Sequence, residues 1–136
     1  MSEFTTEVAV RYDDLDTYGH VNNVRYGTYI EEGRVGYLAE IVGDGTREFL
    51  AGGTGIVVAH LELDFERPVG PTESVTVAVE VPRLGTTSFP MAYEVRDGGT
   101  VVATGETTMV TVDPETGEPR PVPDDWRSAI ERFEGH

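Results

Sequence analysis

The sequence predicts an α+β domain in which one long helix lies on one face of a sheet of long antiparallel strands. Three observations predict it: a single stretch of helical periodicity, strand-type alternation on both sides of it, and a tight-turn signal late in the chain. Thr5 to Tyr12 alternates apolar and polar residues and reads as the first strand. From Asn22 to Val42 the period changes, and Tyr26, Ile30, Gly33, Tyr37 and Ile41 fall on one stripe at helical spacing. Asn22 or Asn23 suits the N-cap, because an Asn side-chain oxygen accepts from a first-turn amide, and Gly43 suits the stop. The helix carries Gly27, Gly33 and Gly36. Each interior glycine costs about 0.5–1 kcal/mol relative to alanine, so close packing against another backbone is expected to offset it.

Beyond a glycine-rich loop (Gly52, Gly53, Gly55), Leu61, Leu63 and Phe65 alternate with His60, Glu62, Asp64 and Glu66. Val75, Val77, Val79 and Val81 alternate with Ser74, Thr76, Ala78 and Glu80. Such alternation marks strands with one buried and one wetter face. Residues 86–96 and 100–112 read as two more strands joined by Asp97-Gly98-Gly99, a hairpin signal. The chain is read as one domain over 1–136, with 113–136 a turn-rich tail. Asp124 or Asp125 is expected to cap a short last helix that runs through Phe133.

Composition narrows the function. There are 25 acidic residues against ten basic ones, all arginine, for a net charge of −15. That surface repels phosphate backbones, so neither nucleic acid nor anionic membrane is an expected partner. The acids are spread along the chain, which favours a surface suited to concentrated salt over an acidic patch for a partner. Without cysteine there is no disulfide, thiolate metal site or cysteine nucleophile. MSEFTTEVAV lacks the basic and apolar regions of a secretory signal, and no window is apolar enough to span a bilayer, so a cytoplasmic location is expected.

The densest chemistry is YDDLDTYGHVNNVRY, residues 12–26, which sets Asp13, Asp14 and Asp16 just before the helix. A calcium loop is excluded, because Tyr18 and Arg25 stand where oxygen ligands belong. The three scattered histidines make no zinc site. Carboxylates at a helix start serve the macrodipole and turn chemistry. They also supply a base or nucleophile beside amides that can hold a developing oxyanion, the parts of an acyl-transfer site. His20 either orients such a carboxylate or caps the loop. His60 is expected to pair across strands with the acids of its polar face. Glu31 precedes Arg34 by three positions, the spacing of an intrahelical ion pair. The serines lack a nucleophile elbow, and GGTG at 52–55 lacks the rest of a phosphate loop.

VRYDDLDTYGHVNNVRYGTYIEEGR, from Val10 to Arg34, resembles the signature of hotdog-fold acyl-CoA thioesterases of the 4-hydroxybenzoyl-CoA thioesterase type. LELDFERPV (61–69), VPRLGTTSFPMAYEV (81–95) and VVATGETTMVTVDPETGEPRPVP (101–123) extend the likeness over nearly the whole chain. The resemblance implies a long central helix wrapped by a five- to six-stranded antiparallel sheet. It also implies a homodimer, or a tetramer of two such dimers, with active sites at the subunit interface. Asp16 corresponds to the catalytic aspartate and the Asn23 backbone amide to the group that polarises the thioester carbonyl. His20, Asn22 and Tyr26 correspond to positions near the acyl group, and Glu31 to a commonly acidic helix position. Asp13 and Asp14 correspond to no catalytic acid. Arg67, Arg83, Thr87 and Ser88 are candidates for coenzyme A contact. No metal or redox cofactor is implied, since coenzyme A belongs to the substrate. The expected reaction is hydrolysis of an acyl-CoA. The alternatives are a hydratase or dehydratase on the same fold, whose His/Asp hydration motif is not found here, and a non-catalytic acyl-CoA-binding module.

Overall fold

A computed structural model describes residues 3–43 and 53–136. Five strands form one antiparallel sheet: β1 (Phe4–Ala9), β2 (Gly55–Phe65), β3 (Ser74–Glu80), β4 (Ser88–Asp97) and β5 (Thr100–Val112), in the spatial order β1-β3-β4-β5-β2. Helix α1 (Asn23–Tyr37) lies against one face and runs into a π-helical turn, Leu38–Val42, which ends at Gly43 with φ 74°. A second helix, α2 (Asp124–Glu134), closes the end of the core. The architecture is the hotdog α+β fold, with five strands among the described residues. Gly52 lies outside the described residues.

The valines of β3 face the helix: Val75, Val77, Val79 and Val81 are all buried, as are Phe89, Met91, Tyr93 and Val95 of β4. Gly33 is closely packed as expected, but against a side chain: a Cβ there would stand 2.6 Å from Val77 Cγ1. Gly36 is similar, at 3.3 Å from the Phe4 ring, and in both cases the tight neighbour is a side chain instead of a backbone. Gly27 departs from the expectation: nothing lies within 4 Å of its missing Cβ.

Several boundaries differ from the sequence reading for identifiable reasons. The first strand stops at Ala9 because Asp14 folds back to accept from the Arg11 amide at 2.9 Å, which winds Tyr12–Asp14 into a 3₁₀ turn. Asn22 is the N-cap, accepting from Val24 N at 3.0 Å. Asp124 and Asp125 sit inside the first turn of α2, where they meet the helix dipole, and Pro123 holds the cap position without a side-chain bond. Pro90 sits within β4, yet β3 pairs with β4 only over Ala92–Arg96, so the missing amide is placed beyond the end of the neighbouring strand. The hairpin turn is as read, with Gly98 and Gly99 both at positive φ.

The tail belongs to the core. Trp126 and Ile130 of α2 are buried, and the Tyr37 ring packs edge-on against Phe4 and Phe133. Tyr37 donates its hydroxyl to Glu134 Oε2 at 2.6 Å, and Val81 N donates to the same oxygen at 2.9 Å. That bond and burial push the Tyr37 ionisation far above its usual value, burial being the larger cause.

The two halves of the sheet are covered unequally. Helix α1 packs over β1, β3 and β4, which leaves the β5–β2 half less covered. Strand β2 is an edge, and a bulge between Val58 and His60 shifts its parity. Val58 pairs with Met109 and Leu61 with Thr107, so Val58, Leu61, Leu63 and Phe65 all turn toward the helix side. Val58, Leu61 and Phe65 remain 45–49% exposed there.

Candidate active site

The residues before α1 form a closed turn. Leu15 and Val21 bridge as in a hairpin, Asp16 N donates to His20 O at 2.8 Å, and Gly19 takes φ 78° to let the chain reverse. The Asp16 carboxylate is oriented by that turn: Oδ1 accepts from Tyr18 N at 2.9 Å and from His20 N at 3.2 Å. Its other oxygen has no hydrogen bond among the described residues. The turn is pinned at both ends, through Asn22 N to Asp14 O at 2.8 Å and Val21 N to Val69 O at 2.7 Å.

Asp14 holds the turn from beneath. Its buried carboxylate accepts from Arg11 N and, at 2.8 Å, from the Tyr29 hydroxyl, and it lies 3.5 Å from Arg25 Nε. Burial pushes its pKa up, but the Arg11 amide, the Tyr29 hydroxyl and the Arg25 charge together outweigh burial and hold it below the usual carboxylate range. The Tyr29 hydroxyl is driven the other way, first by burial and then by the Asp14 bond, so it stays protonated. Asp14 is thus structural, and Asp13 is exposed on the 3₁₀ turn.

A hollow of about 230 Å³ opens where this turn, the start of α1 and the end of β2 meet. It is lined by Asp16, His20, Asn23, Tyr26, Phe65 and Arg67, so five of the residues singled out in the sequence converge there. Asn22 caps Val24 N, whereas the Asn23 amide, at the first helical position, has no acceptor among the described residues. The Tyr26 ring stacks edge-on against Phe65 at 5.1 Å, which forms the apolar wall. A carboxylate oxygen and an open helix-start amide at one hollow are the minimal parts for attack on a carbonyl and stabilisation of the resulting oxyanion.

The other candidates lie elsewhere. Glu31 is 3.7 Å from Arg34 and lines a second cavity between α1 and β2. Arg83, Thr87 and Ser88 sit at the opposite end of the sheet: Ser88 pairs with Val110, while the hollow abuts Phe65, which pairs with Ala103. Seven residues of β5 separate those ends, about 23 Å. Thr87 O accepts from Thr111 N and Thr111 Oγ1, which ties the segment to β5. His60 pairs at 2.9 Å with Glu62 of its own strand, and not across strands. Phe65 reads in the sequence only as a strand residue, and no sequence signal marks it as a wall of the hollow. No three His, Asp or Glu side chains among the described residues converge as a metal site would require. No helix among them is long and apolar enough to cross a membrane.

A carboxylate turn and an open helix-start amide on a hotdog sheet define a protein equipped to act on a carbonyl, and the sequence carries a matching family pattern. Residues 10–130 match the Thioesterase-like superfamily, and the chain belongs to it. It is 31% identical over 116 residues to the uncharacterised protein YsmA of Bacillus subtilis, covering 85% of this chain and 76% of that one. It is 27% identical over 130 residues to the long-chain acyl-CoA thioesterase FadM of Escherichia coli, covering 94% and 97%. A solved thioesterase from Thermus thermophilus, complexed with coenzyme A and zinc, superposes with a TM-score of 0.82 at 33% identity, covering 97% and 94%.

Proposed function

We propose that this protein is an acyl-CoA thioesterase of the 4-hydroxybenzoyl-CoA thioesterase type, hydrolysing an acyl-CoA to a free acid and coenzyme A. The observation that carries the reading is the shared hollow: the free oxygen of Asp16 and the open Asn23 amide line one space. Asp16 attacks the thioester carbonyl or activates a water that does. The Asn23 N–H, at the positive end of α1, stabilises the oxygen that becomes negative. Tyr26 and Phe65 wall the acyl group, and burial, aided by the Asp97 charge, keeps the Tyr26 hydroxyl protonated. Arg67, at the rim, contacts coenzyme A. Similarity to FadM and to the coenzyme A-bound Thermus protein supports the substrate class.

The same reading includes a homodimer. Eleven-residue β2 is a long open edge with half-exposed apolar side chains, which invites pairing with a second copy. Antiparallel pairing of two β2 strands sets the far end of one sheet beside the Asp16 turn of the other, so Arg83, Thr87 and Ser88 serve the neighbouring copy's coenzyme A. The reaction needs no metal or redox group, and the protein works in the cytoplasm.

The test is thiol release from a panel of acyl-CoAs in high-salt buffer, with wild type, Asp16→Asn and Asp13→Asn. Turnover is expected in wild type and Asp13→Asn and lost in Asp16→Asn. Equal rates in wild type and Asp16→Asn would overturn the assignment of Asp16, and binding of acyl-CoA without turnover in wild type would make the protein a binding module.

A further inference from the structure

The helix glycines divide into two kinds. Gly33 and Gly36 are required by the side chains pressed against them, whereas Gly27 carries the same helix-propensity cost and faces open space. That space is a cavity of about 390 Å³ between α1 and β2. Gly27, Val24 and Ile30 line it from the helix, Val58 and Leu61 from β2, and Thr107 from β5. The helix also lines it with the polar Thr28, Glu31 and Arg34. Its size falls within the roughly 300–1,000 Å³ of small-molecule sites.

The cavity is the next one along α1 and β2 from the hollow beside Asp16. Tyr26 stacks on Phe65, Ile30 lies above Gly105 beside Leu63, and Arg34 shares the cavity with Val58. Helix and edge strand therefore run alongside each other in opposite directions, away from Asp16. At 1.5 Å per residue, Gly27 stands about 6 Å along the axis from Asn23, and Arg34 about 16 Å. The far end is polar: the Arg34 side chain is only 13% exposed, and the Tyr93 and Thr107 hydroxyls bond each other at 2.7 Å. A groove that follows the Asp16 hollow, passes Val24, Gly27, Ile30, Leu61 and Val58, and stops at a guanidinium has the shape of a length-limited acyl site.

We infer that Gly27 is a specificity-determining residue: it keeps the α1–β2 groove open for an acyl chain of medium length, which passes over Gly27 and ends before Arg34. This rests on the acyl-CoA thioesterase reading. The bulged parity of β2 serves it too, since without the bulge Val58 would turn to the other face of the sheet.

The test separates binding from turnover. Octyl-CoA, a thioether that cannot be hydrolysed, and coenzyme A alone are titrated calorimetrically into wild type, Gly27→Ala and Gly27→Leu. Octyl-CoA is expected to bind wild type at least tenfold more tightly than coenzyme A, with that gain reduced in Gly27→Ala and lost in Gly27→Leu. Thermal unfolding accompanies it, and Gly27→Ala is expected to melt no lower than wild type. An undiminished octyl gain in Gly27→Leu would overturn the inference. So would a change in oligomeric state by sedimentation with the octyl gain intact, which would assign the groove to a second copy of the chain. In parallel, the octanoyl-to-acetyl ratio of kcat/KM should fall at least tenfold in Gly27→Leu. Absence of turnover in wild type alongside a Gly27-dependent octyl gain would refute the thioesterase reading and leave the groove assignment standing.

Discussion

Replacing Asp14 by asparagine should unlatch the Asp16 turn without touching the Asp16 carboxylate. The carboxylate accepts two directed bonds, from Arg11 N at 2.9 Å and the buried Tyr29 hydroxyl at 2.8 Å, and lies 3.5 Å from Arg25. Hydrogen bonds to a charged acceptor contribute about 1.5–3 kcal/mol each. An amide keeps one acceptor but turns an NH₂ toward a donor, so a net loss of about 2–4 kcal/mol is expected. Unfolding entropy of about 2.1 cal/mol/K per residue over 136 residues converts each kcal/mol to about 3.5 °C, which gives a drop in Tm of roughly 7–14 °C. The pH dependence carries the same signature. Because the native pKa is held below the ordinary value, the contribution of Asp14 is fully present above about pH 4 and is lost as pH falls through the native pKa. Wild type should therefore destabilise more steeply in acid than Asp14→Asn. Differential scanning calorimetry across pH reads both effects. A Tm within about 2 °C of wild type, or parallel acid limbs, would show that the latch is not made in solution.

Four further outcomes can be checked. Gly33→Ala forces a Cβ to 2.6 Å from Val77 Cγ1 and should cost about 1–3 kcal/mol in urea unfolding, partly recovered when Val77→Ala is added; strict additivity would refute the close contact. Glu134→Gln weakens the bonds from Tyr37 and Val81 N and should cost about 1.5–3 kcal/mol, with little further loss when Tyr37→Phe is combined with it. With 25 acids, ten arginines and no lysine, stability and activity should rise from dilute buffer toward molar KCl; a flat response would mean the acid content is unrelated to salt. Val57→Asp on the open edge of β2 should shift the sedimentation coefficient toward monomer, and an unchanged coefficient would place the interface elsewhere.

The parts legible in the sequence were those set by local period. The valine alternation at 75–81 and the stripe Tyr26, Ile30, Gly33 and Tyr37 named buried faces, with Ile41 at the end of the stripe only half-buried, because period decides which side chains share a face. The Asp-turn before the helix was legible as chemistry because caps and turns are written in neighbouring residues. Relations that cross the fold were not. Tyr29 lies off the stripe and is buried all the same, held by a carboxylate fifteen residues earlier. Strand β2 reads as regular alternation, and its one-residue bulge shows only against β5. Gly27, Gly33 and Gly36 are the same letter in one helix, and only the neighbours across the sheet tell the packed ones from the open one. The last helix was legible from its local pattern, but its place in the core was not, because the partners of Trp126, Ile130 and Glu134 are far away in sequence.

The unequal covering of the sheet by α1 has an evolutionary consequence. Val77, Val79 and Val95 lie under the helix, where almost any change of volume taxes the whole fold. Val58, Leu61 and Gly27 lie over the uncovered half, where a change of size meets space and not a packed neighbour. If the groove takes the acyl chain as inferred, what it accepts can drift by single substitutions while the melting temperature stays nearly constant. The molecule then divides its positions into a half whose packing keeps the fold and a half in which a change of size has room.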